Sequence, residues 1–121
     1  MNGNLTVLAA HDVKGVFFFN GHCPDEVRDG LLEMGMTPGF PDEGTEESAL
    51  DGLRRFCDEM NLAPFETVFV GTETQDLLDA RDFGTGFAIY VRNGGSVYES
   101  ERLADMILET VSQLVFSHGR G

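Results

Sequence analysis

One segment of this chain has residue types that could do chemistry, and it follows an apolar run that ends in Gly71. The sequence there is VFVGTETQD, which places Thr72, Glu73 and Asp76 just after the run. A carboxylate such as Asp76 is the type of ligand that a hard divalent cation takes in proteins. An aspartate also suits the first turn of a helix, where its charge interacts favourably with the helix dipole. Asp76 is therefore a weak candidate metal ligand, and Thr72 and Glu73 are candidate ligand-binding residues.

A second polar segment follows the apolar run GVFFF and consists of Asn20, Gly21 and His22. At the end of a strand, these three residues are candidates for binding an anion or another small ligand. Asn-Gly is also a common turn sequence, and a surface histidine needs no ligand. The histidines of the chain, His11, His22 and His118, do not have the spacing of metal ligands.

The elements that must position these segments alternate along the chain. Apolar runs of strand type occur at 5–10, 15–19, 67–70 and 86–91. Apolar residues at helical spacing predict helices from Pro24 to a stop at Gly35, from about Thr45 to before Pro64, around 76–80, and over the last apolar segment. The residues proposed for the inner face of that last helix are Leu103, Met106, Ile107, Val111, Leu114 and Val115. The segment 36–47 is predicted to be a loop because it is rich in Pro and Gly.

Strands without polar alternation, separated by amphipathic helices, predict an α/β fold with a mainly parallel sheet covered on both faces. Ligands bind such sheets at the carboxyl ends of the strands. Three segments are therefore expected to meet at one edge of the sheet, namely 18–22, 71–76 and 92–95.

The composition indicates one acidic domain over residues 1–121, with a flexible tail at 116–121. The net charge is −13, with Lys14 as the single lysine. This charge argues against binding to nucleic acid or to anionic membranes, and it is typical of proteins from a halophilic source. There is no apolar stretch of membrane-spanning length and no signal-peptide pattern, so a cytoplasmic location is expected. Cys23 is expected to be inert although it lies near a helix start, and Cys57 is expected in the core.

The segment from about Ala49 to Leu114 resembles the C-terminal half of a haloacid dehalogenase (HAD) superfamily core domain. The similarity lies in a helix, a strand, a Gly-Asp-x-x-x-Asp loop, a further helix and a strand, with glycines at Gly71, Gly84 and Gly86. Upstream, GVFFFNGH is similar in layout to the strand and Asp-x-Asp-Gly-Thr loop of that superfamily. The resemblance implies a HAD-like fold of Rossmannoid type, here without a separate cap domain.

The resemblance also implies which positions carry phosphatase chemistry, and most of them are altered. The nucleophilic aspartate of the family corresponds to Phe18, and the acid/base aspartate corresponds to Asn20. The first metal-binding aspartate of the later loop corresponds to Thr72, and only the second is kept, as Asp76. The phosphate-binding lysine would fall just before Ala49, where the sequence has Glu46, Glu47 and Ser48. We therefore expect no cofactor and at most weak Mg²⁺ binding.

Three interpretations remain open on the sequence alone. The first is a non-catalytic HAD-like protein that acts as a binding, regulatory or assembly module. The second is an active Mg²⁺-dependent phosphatase, similar to phosphoglycolate phosphatase, whose nucleophile is Asp12, Asp25 or a residue of a second subunit. The third is a receiver-like or other doubly wound fold. The uncharged run LTVLAA is predicted to be an exposed edge strand, which favours a homodimer or another protein partner.

Overall fold

Five strands alternate with helices along the chain. The computed structural model describes residues 3–19, 23–42, 44, 46–92 and 98–115. The strands are β1 (Gly15–Phe18), β2 (Thr37–Gly39), β3 (Thr67–Gly71), β4 (Phe87–Val91) and β5 (Met106–Leu108). The helices are α1 (Gly3–Ala10), α2 (Asp25–Glu33), α3 (Ala49–Met60), α4 (Thr74–Phe83) and α5 (Tyr98–Leu103). Two 3₁₀ turns, Pro64–Glu66 and Val111–Leu114, complete these elements.

The five strands form one sheet in the order β2-β1-β3-β4-β5, and all four neighbouring pairs are parallel. Phe18 pairs with Val70, and Gly71 pairs with Tyr90. The predicted α/β fold with a parallel sheet is therefore confirmed. The described residues include no separate cap domain.

Successive side chains of each strand point to opposite faces of the sheet, and each face has its own core. Val16, Phe18 and Val70 belong to the core beneath α1 and α2. Phe17 and Phe69 belong to the core beneath α3 and α4. These five side chains are at most 3% exposed. Helices therefore cover both faces, as the lack of polar alternation predicted.

Local sequence signals set several of the helix ends. Ser48 caps α3, because its hydroxyl oxygen accepts a hydrogen bond from the backbone N–H of Asp51 at 3.1 Å. Gly35 follows α2 with a φ of 82°, a conformation that glycine adopts without steric cost. Helix α3 thus begins at Ala49, later than the predicted start near Thr45, which lies outside the described residues.

The predicted strand at 5–10 is wrong, because this segment is helix α1. Leu5 and Leu8 are fully buried, whereas Val7 is 40% exposed, which is the pattern of a helix with one inner face. The Asn4 side chain also donates a hydrogen bond to the Gln113 carbonyl at 2.6 Å. A buried strand and a buried helix cannot be distinguished from a short apolar run in the sequence alone.

This correction removes the basis of the expected edge. The first apolar segment is not in the sheet, and β1 lies inside the sheet between β2 and β3. Binding to a second copy or to another protein therefore stays a prediction, and an exposed edge strand at 5–10 no longer supports it.

Two further predictions about the secondary structure are wrong. The last helix does not form over Leu103–Val115, because Met106, Ile107 and Leu108 form β5 and a 3₁₀ turn follows. Asp105 connects this strand to the sheet, since its carboxylate accepts a hydrogen bond from the Ala88 N–H at 2.8 Å. The predicted loop at 36–47 contains β2, a strand of only three residues. The predicted tail at 116–121 lies outside the described residues.

None of the helices in the described part of the chain is long and apolar enough to cross a membrane.

Candidate functional site

The carboxyl ends of the central strands lie side by side, as the sequence predicted. The Phe19 N–H donates to the Val70 carbonyl at 3.0 Å, so β1 and β3 end together. Gly71 at the end of β3 pairs with Tyr90, next to the end of β4. The candidate ligand-binding residues Asn20, Gly21 and His22, and residues 93–95 of the third segment, lie outside the described residues.

Phe18, which the sequence resemblance aligns with the family's nucleophile, is part of the core. Its side chain is 1% exposed and packs on the α1 and α2 side of the sheet. Its ring stacks on that of Phe40, with 5.8 Å between the ring centroids and 21° between the planes. This side chain has no nucleophilic atom, and it faces the core instead of solvent.

Thr72, Glu73 and Asp76 lie where β3 leads into α4. Glu73 is the N-cap residue of α4, although its side chain makes no capping hydrogen bond. Asp76 lies in the first turn of the helix and is partly buried. Burial raises the pKa of the Asp76 carboxyl, and the neighbouring charges of Glu73 and Asp79 raise it further. Within the part of the chain that the structure describes, no Lys or Arg forms an ion pair with these carboxylates.

The donor atoms near Asp76 do not fit a resident Mg²⁺ ion. The dication takes six oxygen ligands in nearly ideal octahedral geometry, usually one or two carboxylates together with several waters and substrate phosphates. Thr72 replaces the expected carboxylate beside Asp76. Among the described residues there is also no cluster of three or more His, Cys, Asp or Glu that could hold a metal ion.

Glu47 and Arg55 form an ion pair next to the start of α3, where the family's lysine would lie. The Arg55 Nε donates to Glu47 Oε2 at 2.6 Å, and Nη2 donates to Oε1 at 3.1 Å. The same guanidinium donates to the Phe40 carbonyl at 2.7 Å, and Glu47 Oε1 accepts the Asp42 N–H at 2.9 Å. A carboxylate satisfied by Arg55 thus replaces a cation that would bind phosphate.

A Glu47→Gln substitution is expected to reduce the free energy of unfolding at pH 7 by about 1–2 kcal/mol, because it removes a charge-assisted pair. The hydrogen bond from Arg55 is the main cause that lowers the pKa of Glu47 below its ordinary value of 4.5. The contribution of the pair is therefore complete above a pH of about 4.5 and is lost as the pH falls through the folded-state pKa. Urea titrations of both proteins between neutral and acidic pH measure this difference.

Glu59→Gln is the matched control for this prediction. Glu59 also pairs with Arg55, at 3.0 Å, but its side chain is 55% exposed, compared with 11% for Glu47. An exposed pair contributes less than about 1 kcal/mol, so this variant should change little. Equal losses in the two variants, or a Glu47→Gln effect that persists unchanged in acid, would contradict the assigned role of the partly buried Glu47–Arg55 pair.

A hydroxyl pair close to the end of β3 was not anticipated from the sequence. Thr74 Oγ1 and Ser100 Oγ lie 2.5 Å apart and connect α4 with α5. Ser100 is fully buried. The two residues are separated by 26 positions in the chain, so no local pattern signals their contact. A cavity of about 240 Å³ opens beside them, lined by Thr74, Leu78, Glu99, Arg102 and Leu103.

Arg92 directly follows β4 and is compensated by two carboxylates. Its Nε donates to Glu109 Oε2 at 2.7 Å, and its Nη1 contacts Glu101 Oε2 at 3.4 Å. The guanidinium is therefore engaged by protein carboxylates.

Neither cysteine is activated as a nucleophile. Cys23 is half-buried, and burial raises the pKa of its thiol to about 11, with a smaller opposing contribution from Arg28. The thiolate is therefore scarce at neutral pH, although the residue lies two positions before α2. Cys57 is buried on the inner side of α3, as predicted.

Several solved structures of HAD hydrolases are similar to this chain. A 2-haloacid dehalogenase from Pseudomonas syringae aligns with a TM-score of 0.55 and 22% identity, over 94% of this chain and 49% of that chain. A HAD phosphatase from Thermococcus onnurineus aligns with a TM-score of 0.53 and 22% identity, over 93% and 53% of the two chains. The fold is HAD-like.

A third HAD-like structure, a haloacid dehalogenase-like hydrolase from Streptococcus pneumoniae, has a TM-score of 0.52 and 17% identity, over 93% of this chain and 55% of that one. The HAD-like chain thus spans about half the length of these solved structures. No protein-family model and no curated protein sequence matches it. The predicted HAD-like fold is confirmed at the level of architecture, and the activity of those hydrolases is not carried over by such low identity.

Proposed function

We propose that this protein is a non-catalytic HAD-like domain that acts by binding, either as a regulatory partner or as a subunit of an assembly. The observation that carries the proposal is the burial of Phe18. An aspartyl-phosphate mechanism needs a carboxylate at that position, oriented towards the substrate. A phenylalanine ring that is 1% exposed and stacked on Phe40 provides neither the reactive atom nor the access.

The charges around the strand ends also support a non-catalytic role. Phosphoryl transfer requires cations that hold the phosphate and stabilise its developing charge. Arg55 and Arg92 are both engaged by carboxylates, and Asp76 has a raised pKa among negative neighbours. Such an environment repels a phosphate dianion.

The alternative nucleophiles are poorly placed for an active phosphatase. Asp12 lies in the turn between α1 and β1, at the amino end of β1, whereas Phe18 lies at the carboxyl end of that strand. Asp25 has a side chain that is 80% exposed, and it pairs with Arg28 at 3.2 Å.

We expect no hydrolysis of p-nitrophenyl phosphate above the buffer rate in Mg²⁺, at any KCl concentration from dilute to molar. The reason is the missing nucleophile at Phe18 and the missing first metal ligand at Thr72. Release of p-nitrophenolate measures the rate, and the Asp76→Asn variant is the control. A robust rate that disappears in Asp76→Asn would overturn the proposal, and loss of a rate in Asp12→Asn or Asp25→Asn would identify a displaced nucleophile.

A further inference from the structure

We propose that the open edge of the sheet at β5 binds an extended basic segment of a partner protein, which adds to the sheet as a sixth strand. The proposal rests on the binding role proposed above and names its surface and the chemistry of its partner. Strand addition of this kind uses backbone hydrogen bonds for affinity and alternate side chains for specificity.

The backbone of Ile107 points towards this edge. The Arg92 N–H donates to the Leu108 carbonyl at 2.7 Å, so the polar backbone groups of Leu108 face β4. In a strand these groups alternate in direction, so the N–H and C=O of Ile107 face away from β4. No described residue forms a strand beyond β5, and the Ile107 side chain is 41% exposed.

The two edges of the sheet differ in their capacity to accept another strand. The opposite edge is β2, which has Pro38 as its central residue and therefore lacks a backbone donor there. Natural proteins use proline and charged side chains on edge strands to prevent further pairing. Strand β5 has the sequence Met-Ile-Leu, with neither proline nor charge. Pro38 therefore hinders pairing at β2, whereas among the described residues no strand pairs with the outer side of β5.

A groove next to β5 can accept the side chains of an added strand. It has a volume of about 470 Å³ and is lined by Arg92, Ile107, Leu108, Glu109 and Gln113. Its lining combines the apolar surface of Ile107 with the carboxylate of Glu109. An incoming strand that alternates apolar and basic residues matches both features.

The charge around the edge selects a basic occupant. Asp105 and Glu109 flank β5 on either side, and Glu101 lies close enough to contact Arg92. Arg92 is paired with Glu101 and Glu109, and the net charge of the chain is −13 with Arg92 included. A second copy of this chain would bring the same negative charge to the edge. A lysine- or arginine-rich segment is attracted instead.

The test uses the whole protein and a fluorescein-labelled peptide of about eight residues that alternates lysine and valine, because such a strand matches the edge. Fluorescence anisotropy is expected to show saturable binding. The same peptide with proline in place of valine keeps every positive charge but loses alternate N–H groups. We expect it to bind at least about tenfold more weakly. Equal binding of both peptides would mean general charge attraction and would overturn the proposal.

Two substitutions locate the binding surface. Ile107→Pro removes the N–H that faces the edge, and Ile107→Lys keeps it but adds a positive charge to the groove. Each is expected to weaken binding of the lysine-valine peptide by about tenfold. Leu32→Lys is the matched control, since Leu32 is 54% exposed on α2 and the same charge is added away from β5. Circular dichroism verifies that the variants fold. If Ile107→Pro does not fold, the peptide affinity of Ile107→Lys alone shows whether the peptide binds at β5.

The outcomes separate this proposal from the proposed function. Equal weakening by Leu32→Lys and Ile107→Lys would mean that binding does not occur at β5, and would overturn the strand-addition proposal alone. Phosphatase turnover together with edge-dependent peptide binding would overturn the non-catalytic role alone. Sedimentation that shows a dimer dissociated by Ile107→Lys would also overturn the proposal, because a second copy would then occupy the edge.

Discussion

A Phe18→Asp variant is expected to be strongly destabilised and to gain no phosphatase activity. By the sequence resemblance, the substitution introduces the carboxylate that HAD phosphatases would have here, but it places that carboxylate in a core where the native side chain is 1% exposed. Loss of the ring from the stack with Phe40 and burial of a carboxyl group should together reduce the free energy of unfolding by about 4 kcal/mol or more. For a domain of this size, such a loss can remove most of the stability.

Urea titrations of three variants measure this effect. Phe18→Leu keeps an apolar side chain in the same core and should cost about 1.5 kcal/mol. Phe65→Asp makes the same chemical change at a side chain that is 68% exposed, so it should have only a small effect. A Phe18→Asp protein that is as stable as the parent would show that the side chain at position 18 reaches solvent. If this variant also hydrolysed phosphate esters, the nucleophile would be the only group that the parent protein lacks for phosphatase activity.

The melting temperature is expected to rise by about 5–10 °C between dilute and molar KCl, which corresponds to roughly 1–2 kcal/mol. The folded chain concentrates 21 acidic and 8 basic residues on a small surface, and mobile ions screen the resulting repulsion. Thermal unfolding followed by circular dichroism at several KCl concentrations measures the change. A halophilic source stays a prediction from composition that this experiment tests directly.

Reducing the charge provides the control for the salt effect. Glu33, Asp58 and Asp82 are exposed, and replacing them with the corresponding amides changes the net charge from −13 to −10. This triple variant should be more stable than the parent in dilute buffer and should respond less steeply to KCl. Melting curves that are independent of salt in both proteins would leave an acidic protein without halophilic adaptation.

Together, these results would describe a hydrolase-type fold whose former reaction centre has become part of the core. The polar residues that the fold brings to the strand ends pair with one another, as Glu47 does with Arg55 and as Arg92 does with Glu109. Binding of a partner at the β5 edge would then not involve the carboxyl ends of the central strands. A domain of this kind can keep its architecture because the sheet does not depend on the catalytic residues.

The sequence by itself determined the central part of the fold. The runs at 67–70 and 86–91 are apolar without alternation, and only a sheet covered on both faces buries all of their side chains. Helices α2, α3 and α4 were predictable because apolar residues at helical spacing coincide with end signals such as Gly35 and Gly84. The expectation that the family's catalytic positions are altered at Phe18 and Thr72 also comes from the residue types, and it stays a prediction.

Only the tertiary structure decided the elements whose local signals are weak. The run at 5–10 is a helix because burial of Leu5 and Leu8 against the sheet outweighs the strand preference of a short apolar run. Met106–Leu108 forms β5 because the edge of β4 offers backbone hydrogen-bonding partners that no helical pattern in the sequence reveals. The pairs Thr74–Ser100 and Glu47–Arg55 depend on helix packing and loop path. The first pair joins residues 26 positions apart and the second joins residues 8 apart across the start of α3, and no local pattern in the sequence reveals either contact.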